Sequence, residues 1–136
     1  MPEKRTMQRA KRDLRQGKAA TTAAGEFVRE EMEHIRRGKH GARSTKQAIA
    51  IGLSKARRAG IPLRPPGDGQ ASRRTRRSAA QAYAVGQGKR KPRAPSRRRS
   101  QAISGALRRE GRQAASRRAL SAQAKRAAGR RRRSRK

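Results

Sequence analysis

The chain has 136 residues and a formal net charge of +33, with 41 Lys and Arg against 8 Asp and Glu. Only 31% of residues are hydrophobic, with one Phe, one Tyr and no Trp, which excludes a large packed core. The absence of Cys excludes disulfides, thiolate chemistry and Cys metal sites. So few apolar residues under so much like charge predict disorder over much of the chain until a polyanion neutralises it, and nucleic acid is the commonest polyanion.

The charge is unevenly placed. Residues 1–33 carry 8 basic and 6 acidic groups, residues 34–63 carry 8 basic and none acidic, and residues 64–136 carry 25 basic and 2 acidic. This predicts three parts: an N-terminal helical or flexible segment at 1–22, a helical hairpin module at 23–62, and an Arg/Ala/Ser-rich arm at 63–136. No apolar run approaches the roughly 18 residues of a membrane span. The polar, basic start lacks a signal-peptide core, so a cytoplasmic protein is expected.

Pro2 to Gln16 is rich in helix formers. Its apolar positions Met7, Ala10 and Leu14 make only a narrow stripe. The expectation is a solvated, fraying helix, with docking as the alternative. Gly17 to Thr22 reads as a linker. Ala23 to Arg37 reads as an amphipathic helix, with Phe27 or Val28, then Met32 or Glu31, and Ile35 on one face. Glu26, Glu30, Glu31 and Glu33 are assigned to its N-terminal half, where they complement the helix dipole. Gly38 ends it.

Ser44 to Pro62 carries the clearest helix signals. Ser44 and Gln47 have capping-box spacing. Ile49, Leu53 and Ala56 share a face. Gly60 can take the left-handed conformation that closes a helix, Ile61 then meets Ala56, and Pro62 forbids continuation. Ile51 points away, toward the first helix, a partner or solvent. Gly52 costs up to about 1 kcal/mol in a helix interior unless a close contact requires it. The expected hairpin core is Phe27, Val28, Met32, Ile35, Ile49 and Leu53.

Beyond it, Pro65, Pro66, Gly67 and Gly69 mark a boundary. Ala71 to Val85 is a candidate helix with Ser72 as its cap. Gly86 to Ser96 is a second breaker, with Pro92 and Pro95. Arg97 to Ala128 cycles through Arg, Ala, Ser and Gln and reads as a helix conditional on a polyanion, weakened by Gly105 and Gly111. Gly129 to Lys136 is a basic run without periodicity.

The run Lys46-Gln47-Ala48-Ile49-Ala50-Ile51-Gly52-Leu53-Ser54-Lys55-Ala56-Arg57-Arg58-Ala59-Gly60, preceded by the turn Arg37-Gly38-Lys39-His40-Gly41, resembles a family of small bacterial proteins labelled DNA-binding. The resemblance implies a nucleic-acid partner. In composition alone, the arm resembles the tails of linker-histone-like bacterial proteins, without their Lys-Ala-Ala-Pro repeats.

Enzyme chemistry finds no foothold in the sequence. His34 and His40 lack Cys or clustered carboxylates to complete a metal site, and no phosphate-cradling GxxxxGK[ST] loop is present. No cofactor is expected. Nucleic-acid binding is the strong signal, assigned to Lys46, Lys55, Arg57 and Arg58 in the hairpin. In the arm it is assigned to Arg73, Arg74, Arg76, Arg77, Lys89, Arg90, Lys91, Arg93, Arg97, Arg98, Arg99, Arg130, Arg131, Arg132 and Arg133. Lys89-Arg90-Lys91-Pro92-Arg93 resembles a minor-groove hook but lacks its Gly-Arg-Pro core. The hairpin loop is longer than a helix-turn-helix turn. Tyr83 is the arm's one aromatic, so stacking platforms for single strands are absent.

The resulting expectation is an all-α, non-enzymatic, nucleoid or histone-like protein that binds DNA without sequence preference. The alternatives are an RNA- or ribosome-associated protein, and an interaction adaptor that dimerises through the hairpin.

Overall fold

The computed structural model describes residues 2–94 and 96–134. The C-terminal pair of the basic run, Arg135 and Lys136, and the breaker Pro95 lie outside them. The all-α expectation holds: six α-helices and one short 3₁₀ turn are present, with no strand among the described residues. The helices are α1 (Lys4–Arg15), α2 (Ala20–Arg36), α3 (Thr45–Arg58), α4 (Arg73–Gly86), α5 (Arg97–Arg109) and α6 (Arg117–Ser134), with the 3₁₀ turn at Gln113–Ala115. The chain divides into two compact units, Met1–Glu31 with Ala50–Ala94, and Met32–Ile49 with Pro95–Lys136. Helices α2 and α3 each contribute to both.

In the first unit the core is Ala10, Ala23, Ala24, Phe27, Ala56 and Ile61, flanked by Met7, Leu14, Leu53, Ala59 and Leu63. The N-terminal segment is therefore docked rather than solvated on all sides. Its narrow stripe of Met7, Ala10 and Leu14 docks onto this core, because Ala-lined helices can approach closely. Glu30 of α2 also holds the start of α1. Its Oε1 accepts the Glu3 backbone N–H at 2.6 Å and the Thr6 hydroxyl at 3.0 Å. Glu3's own side chain makes no capping bond, so a carboxylate from another helix satisfies the orphan donor and complements the dipole.

The reading of the glutamates changes as well. Helix α2 starts at Ala20, inside the expected linker, and has no acid in its first turn. Dipole compensation therefore does not explain Glu30 and Glu31. Both are buried, at 3% and 0% exposure, as acceptors for neighbouring groups. Glu31 pairs with Lys55 of α3.

Helix α3 is closed as its sequence predicts. Gly60 has φ of 100°, and the Ile61 N–H donates to Ala56 O at 3.1 Å. Ile61 and Ala56 lie in the same buried cluster. At the other end, Gln47 N–H donates to Ser44 Oγ at 3.1 Å, while Gln47 Oε1 accepts from Arg43 N–H at 2.7 Å rather than from the cap residue itself. The buried line differs from the expected one. Thr45, Ala48, Gly52 and Ala56 are buried, and Ile49, Ile51 and Leu53 are only half-buried. A stripe of small residues lets backbones approach. A Cβ on Gly52 would lie 2.7 Å from Val28 Cα and 2.9 Å from Val28 N. The glycine is thus explained by a helix–helix contact.

Helix α4 joins this unit through Ala79 and Ala82, both buried, and through Gly86. A side chain on Gly86 would overlap the Arg57 carbonyl and sit 3.0 Å from Gly60 N.

The segment expected as a largely disordered or conditionally helical arm is instead built of α4, α5, the 3₁₀ turn and α6. Local capping and backbone pairing account for this. Ser72, Ser96 and Ser116 accept from Thr75, Arg99 and Ala119 N–H groups at 3.1–3.2 Å. In the second unit the loop after α2 pairs with the end of α5. Gly41 N–H donates to Leu107 O at 2.8 Å and Ala42 N–H to Gly111 O at 3.1 Å. The Thr45 hydroxyl donates to Ala114 O at 2.5 Å, and Arg36 Nε to Ala115 O at 3.1 Å. Ile35, Ala48 and Ala115 have no exposed surface in this unit.

Candidate nucleic-acid interface

The sequence-predicted cations divide between the two units. Lys55, Arg57, Arg58, Arg73, Arg74, Arg76, Arg77, Lys89, Arg90, Lys91 and Arg93 belong to the first, and Lys46, Arg97–Arg99 and Arg130–Arg133 to the second. Most are exposed, and the exceptions are informative.

Arg57 is 8% exposed. Its Nε donates to Leu63 O at 3.1 Å and its Nη2 to Arg64 O at 3.3 Å, so it straps the turn after α3 back onto the helix. Desolvation pushes its pKa below the ordinary arginine value. A guanidinium starts so high that it stays charged at neutral pH. Lys55 is engaged by buried Glu31, and half-buried Arg76 by Asp68. Arg57 and Lys55 thus hold protein together rather than facing outward, while Arg76 makes its pair at the surface. Arg58, one residue from Arg57, is exposed.

The pair gives a direct expectation. Arg57→Gln should lower stability by about 1–3 kcal/mol, because two carbonyls lose a charged donor, and leave the slope of a duplex-DNA salt titration unchanged. Arg58→Gln should leave the melting temperature unchanged and lower the slope of log K against log salt by about 0.9. Thermal melts and filter binding on the two variants measure both quantities.

Arg73, Arg74, Arg76 and Arg77 fall in the first two turns of α4, directly after the cap Ser72. Arg97, Arg98 and Arg99 open α5 after Ser96. Arg117 and Arg118 open α6 after Ser116. None of these helices has an acid in its first turn. Cations there oppose the positive end of the helix dipole, at roughly 0.3–1 kcal/mol each. The same geometry offers an anion free backbone N–H groups and guanidinium forks together. Arg131, Arg132 and Arg133 fall in the last turn of α6, where they complement the dipole, and with Arg130 they surround the helix end. Lys89, Arg90, Lys91 and Arg93 lie in exposed irregular chain after α4, with bends at Lys89 and Arg90.

The second unit also assembles a cluster that the sequence does not announce. Arg36, Arg112 and Arg117, with Ala115 and Ser116, line a groove of about 450 Å³. Arg36 and Arg112 are far apart along the chain, and only the pairing of their loops brings them together. The same unit holds His34 and His40 edge to face, with ring centroids 6.1 Å apart. Among the described residues no helix is long and apolar enough to cross a membrane. No family model, curated protein or solved structure matches this chain.

Proposed function

We propose that this protein binds duplex DNA through its phosphate backbone, without sequence preference, and coats or compacts it as a nucleoid or histone-like component. The observation that carries this reading is the set of exposed arginine clusters at the capped N-termini of α4, α5 and α6, with no acid in any first turn. Each cluster is electrostatically unfavourable in the free protein and becomes favourable against phosphate. Arginine suits the role because its planar fork engages phosphate oxygens in pairs. The Arg130–Arg133 end of α6 is the segment whose helicity depends most on that neutralisation, since four consecutive cations repel one another. Sequence-neutral binding follows because phosphate contacts position a protein without reading bases. No catalytic step is part of this reading.

A salt titration of binding to duplex DNA tests it. With about ten phosphates neutralised, affinity should fall on the order of 10³–10⁵-fold between 50 and 200 mM salt. A flat log K against log salt would sink the proposal. Competition by structured RNA at matched salt separates the two nucleic acids, and preferential RNA binding would overturn the assignment to DNA.

A further inference from the structure

The N-terminal segment is nearly neutral by count, with 8 basic and 6 acidic groups in residues 1–33. Its surface is not. Asp13, Glu30 and Glu31 are buried at 3%, 3% and 0% exposure. Asp13 pairs with Lys18 at 3.2 Å, Glu31 pairs with Lys55, and Glu30 accepts from Glu3 N–H and Thr6. The basic groups of α1 remain outside. Arg5, Arg9, Arg12 and Arg15, with Gln8, line one groove of about 470 Å³.

At 3.6 residues per turn these five positions occupy an arc of about 120°, and the buried Asp13, Thr6 and Ala10 fall outside it. Exposed Lys4 and Lys11 flank the arc. Of the two acids at α1, Glu3 sits at its cap and Asp13 is buried and paired with Lys18. None of the four arginine side chains has a hydrogen-bond or ion-pair partner among the described residues. From Arg5 to Arg15 the row is about 15 Å long at 1.5 Å per residue. The helix that carries it is held by Ala10 in the core and by Glu30 at its start, so the row is preorganised. An ordinary solvated helix face carries both signs of charge in i, i+4 pairs. This one carries a single sign with a neutral amide donor among the cations.

We infer that this face of α1 is a second phosphate-tracking surface, separate from the arginine clusters of α4 to α6, and that it lies along the sugar–phosphate backbone of duplex DNA. The inference rests on the nucleic-acid reading above. The guanidinium groups contact phosphate oxygens in pairs and Gln8 donates to a phosphate oxygen between them. The apolar face of α1 is already covered by the core, so the surface acts through charge and hydrogen bonds alone.

The test is the slope of log K against log salt for full-length protein on duplex DNA. Arg5→Gln/Arg9→Gln/Arg12→Gln/Arg15→Gln should lower that slope by roughly 3–4, at about 0.9 per phosphate contact. The single variants R5Q and R12Q, both at exposed positions, should each lower it by about 0.9. The all-lysine version of the four positions keeps the charge and should keep most of the slope. A steep wild-type slope with unchanged slopes in the glutamine variants would overturn the α1 surface and leave the DNA reading standing. A flat wild-type slope would overturn both. Helix content by circular dichroism separates lost contacts from lost structure, and the single variants carry the decision if the fourfold one unfolds.

Discussion

Replacing Arg73, Arg74, Arg77, Arg97, Arg98 and Arg99 together with glutamine should lower the salt slope of duplex binding by roughly 5, at about 0.9 per contact. The affinity change of about 10³-fold between 50 and 200 mM salt that those contacts supply should disappear with it. All six side chains are exposed and sit at the starts of α4 and α5. Stability should move the other way. Each cation removed from a helix N-terminus relieves about 0.3–1 kcal/mol of unfavourable dipole interaction at low salt, so the variant should melt no lower than the parent. This opposition of signs makes the result readable. Lower affinity with an equal or higher melting temperature supports the interface, and lower affinity with a lower melting temperature means the fold has failed. Filter binding and a thermal melt on the same preparation decide between them.

Gly52→Ala should destabilise the protein, against the usual direction for a helix interior. In an exposed helix this change stabilises by about 1 kcal/mol through propensity. Here the new Cβ meets Val28 Cα at 2.7 Å and Val28 N at 2.9 Å. Those are backbone atoms, so no side-chain rotation relieves the overlap and α2 and α3 must separate. Overpacking of this kind costs about 1–3 kcal/mol, enough to outweigh the propensity gain. For a chain of 136 residues, 1 kcal/mol moves the melting temperature by roughly 3–4 °C. Gly52→Val should be worse, because a larger, β-branched side chain enters the same contact. A melting temperature equal to or above the parent's for Gly52→Ala would show that the two helices do not pack at this point.

The two substitutions differ in how far the sequence alone predicts them. The arginine clusters are visible without any structure, as are Ser72 ahead of its helix, Gly38 and Gly60 at helix ends and Ile61 against Ala56. These are local signals: a cap, a stop and a charge run each lie within a few residues of what they act on. Gly52 was legible only as an anomaly, because its reason is a backbone on another helix. The shared core was partly legible. Phe27, Met32 and Ile35 are buried as expected, while Ile49 and Leu53 yield the central line to Ala48, Gly52 and Ala56. Apolar periodicity weights large side chains, and this packing is led by small ones that allow close approach.

Among the candidate site residues the same division holds. A guanidinium that straps a turn and one that faces solvent look alike in sequence, and Arg57 and Arg58 are adjacent. The α1 row was present as a period of Arg5, Arg9, Arg12 and Arg15, but its acids cancelled it in the count. Only burial of Asp13, Glu30 and Glu31 shows that the outer face carries one sign.

What the sequence by itself determined is the all-helical class, most of the helix ends and a net charge of +33. These follow from propensity, capping and composition, which need no knowledge of neighbours. What only the tertiary structure decided is that α1 docks, that the end of α5 and the 3₁₀ turn are tied back through Gly41, Ala42 and Thr45, and which cations face outward. Those depend on contacts between residues distant in the chain. In a protein whose core is mostly alanine and glycine, such contacts leave little trace in hydrophobic pattern.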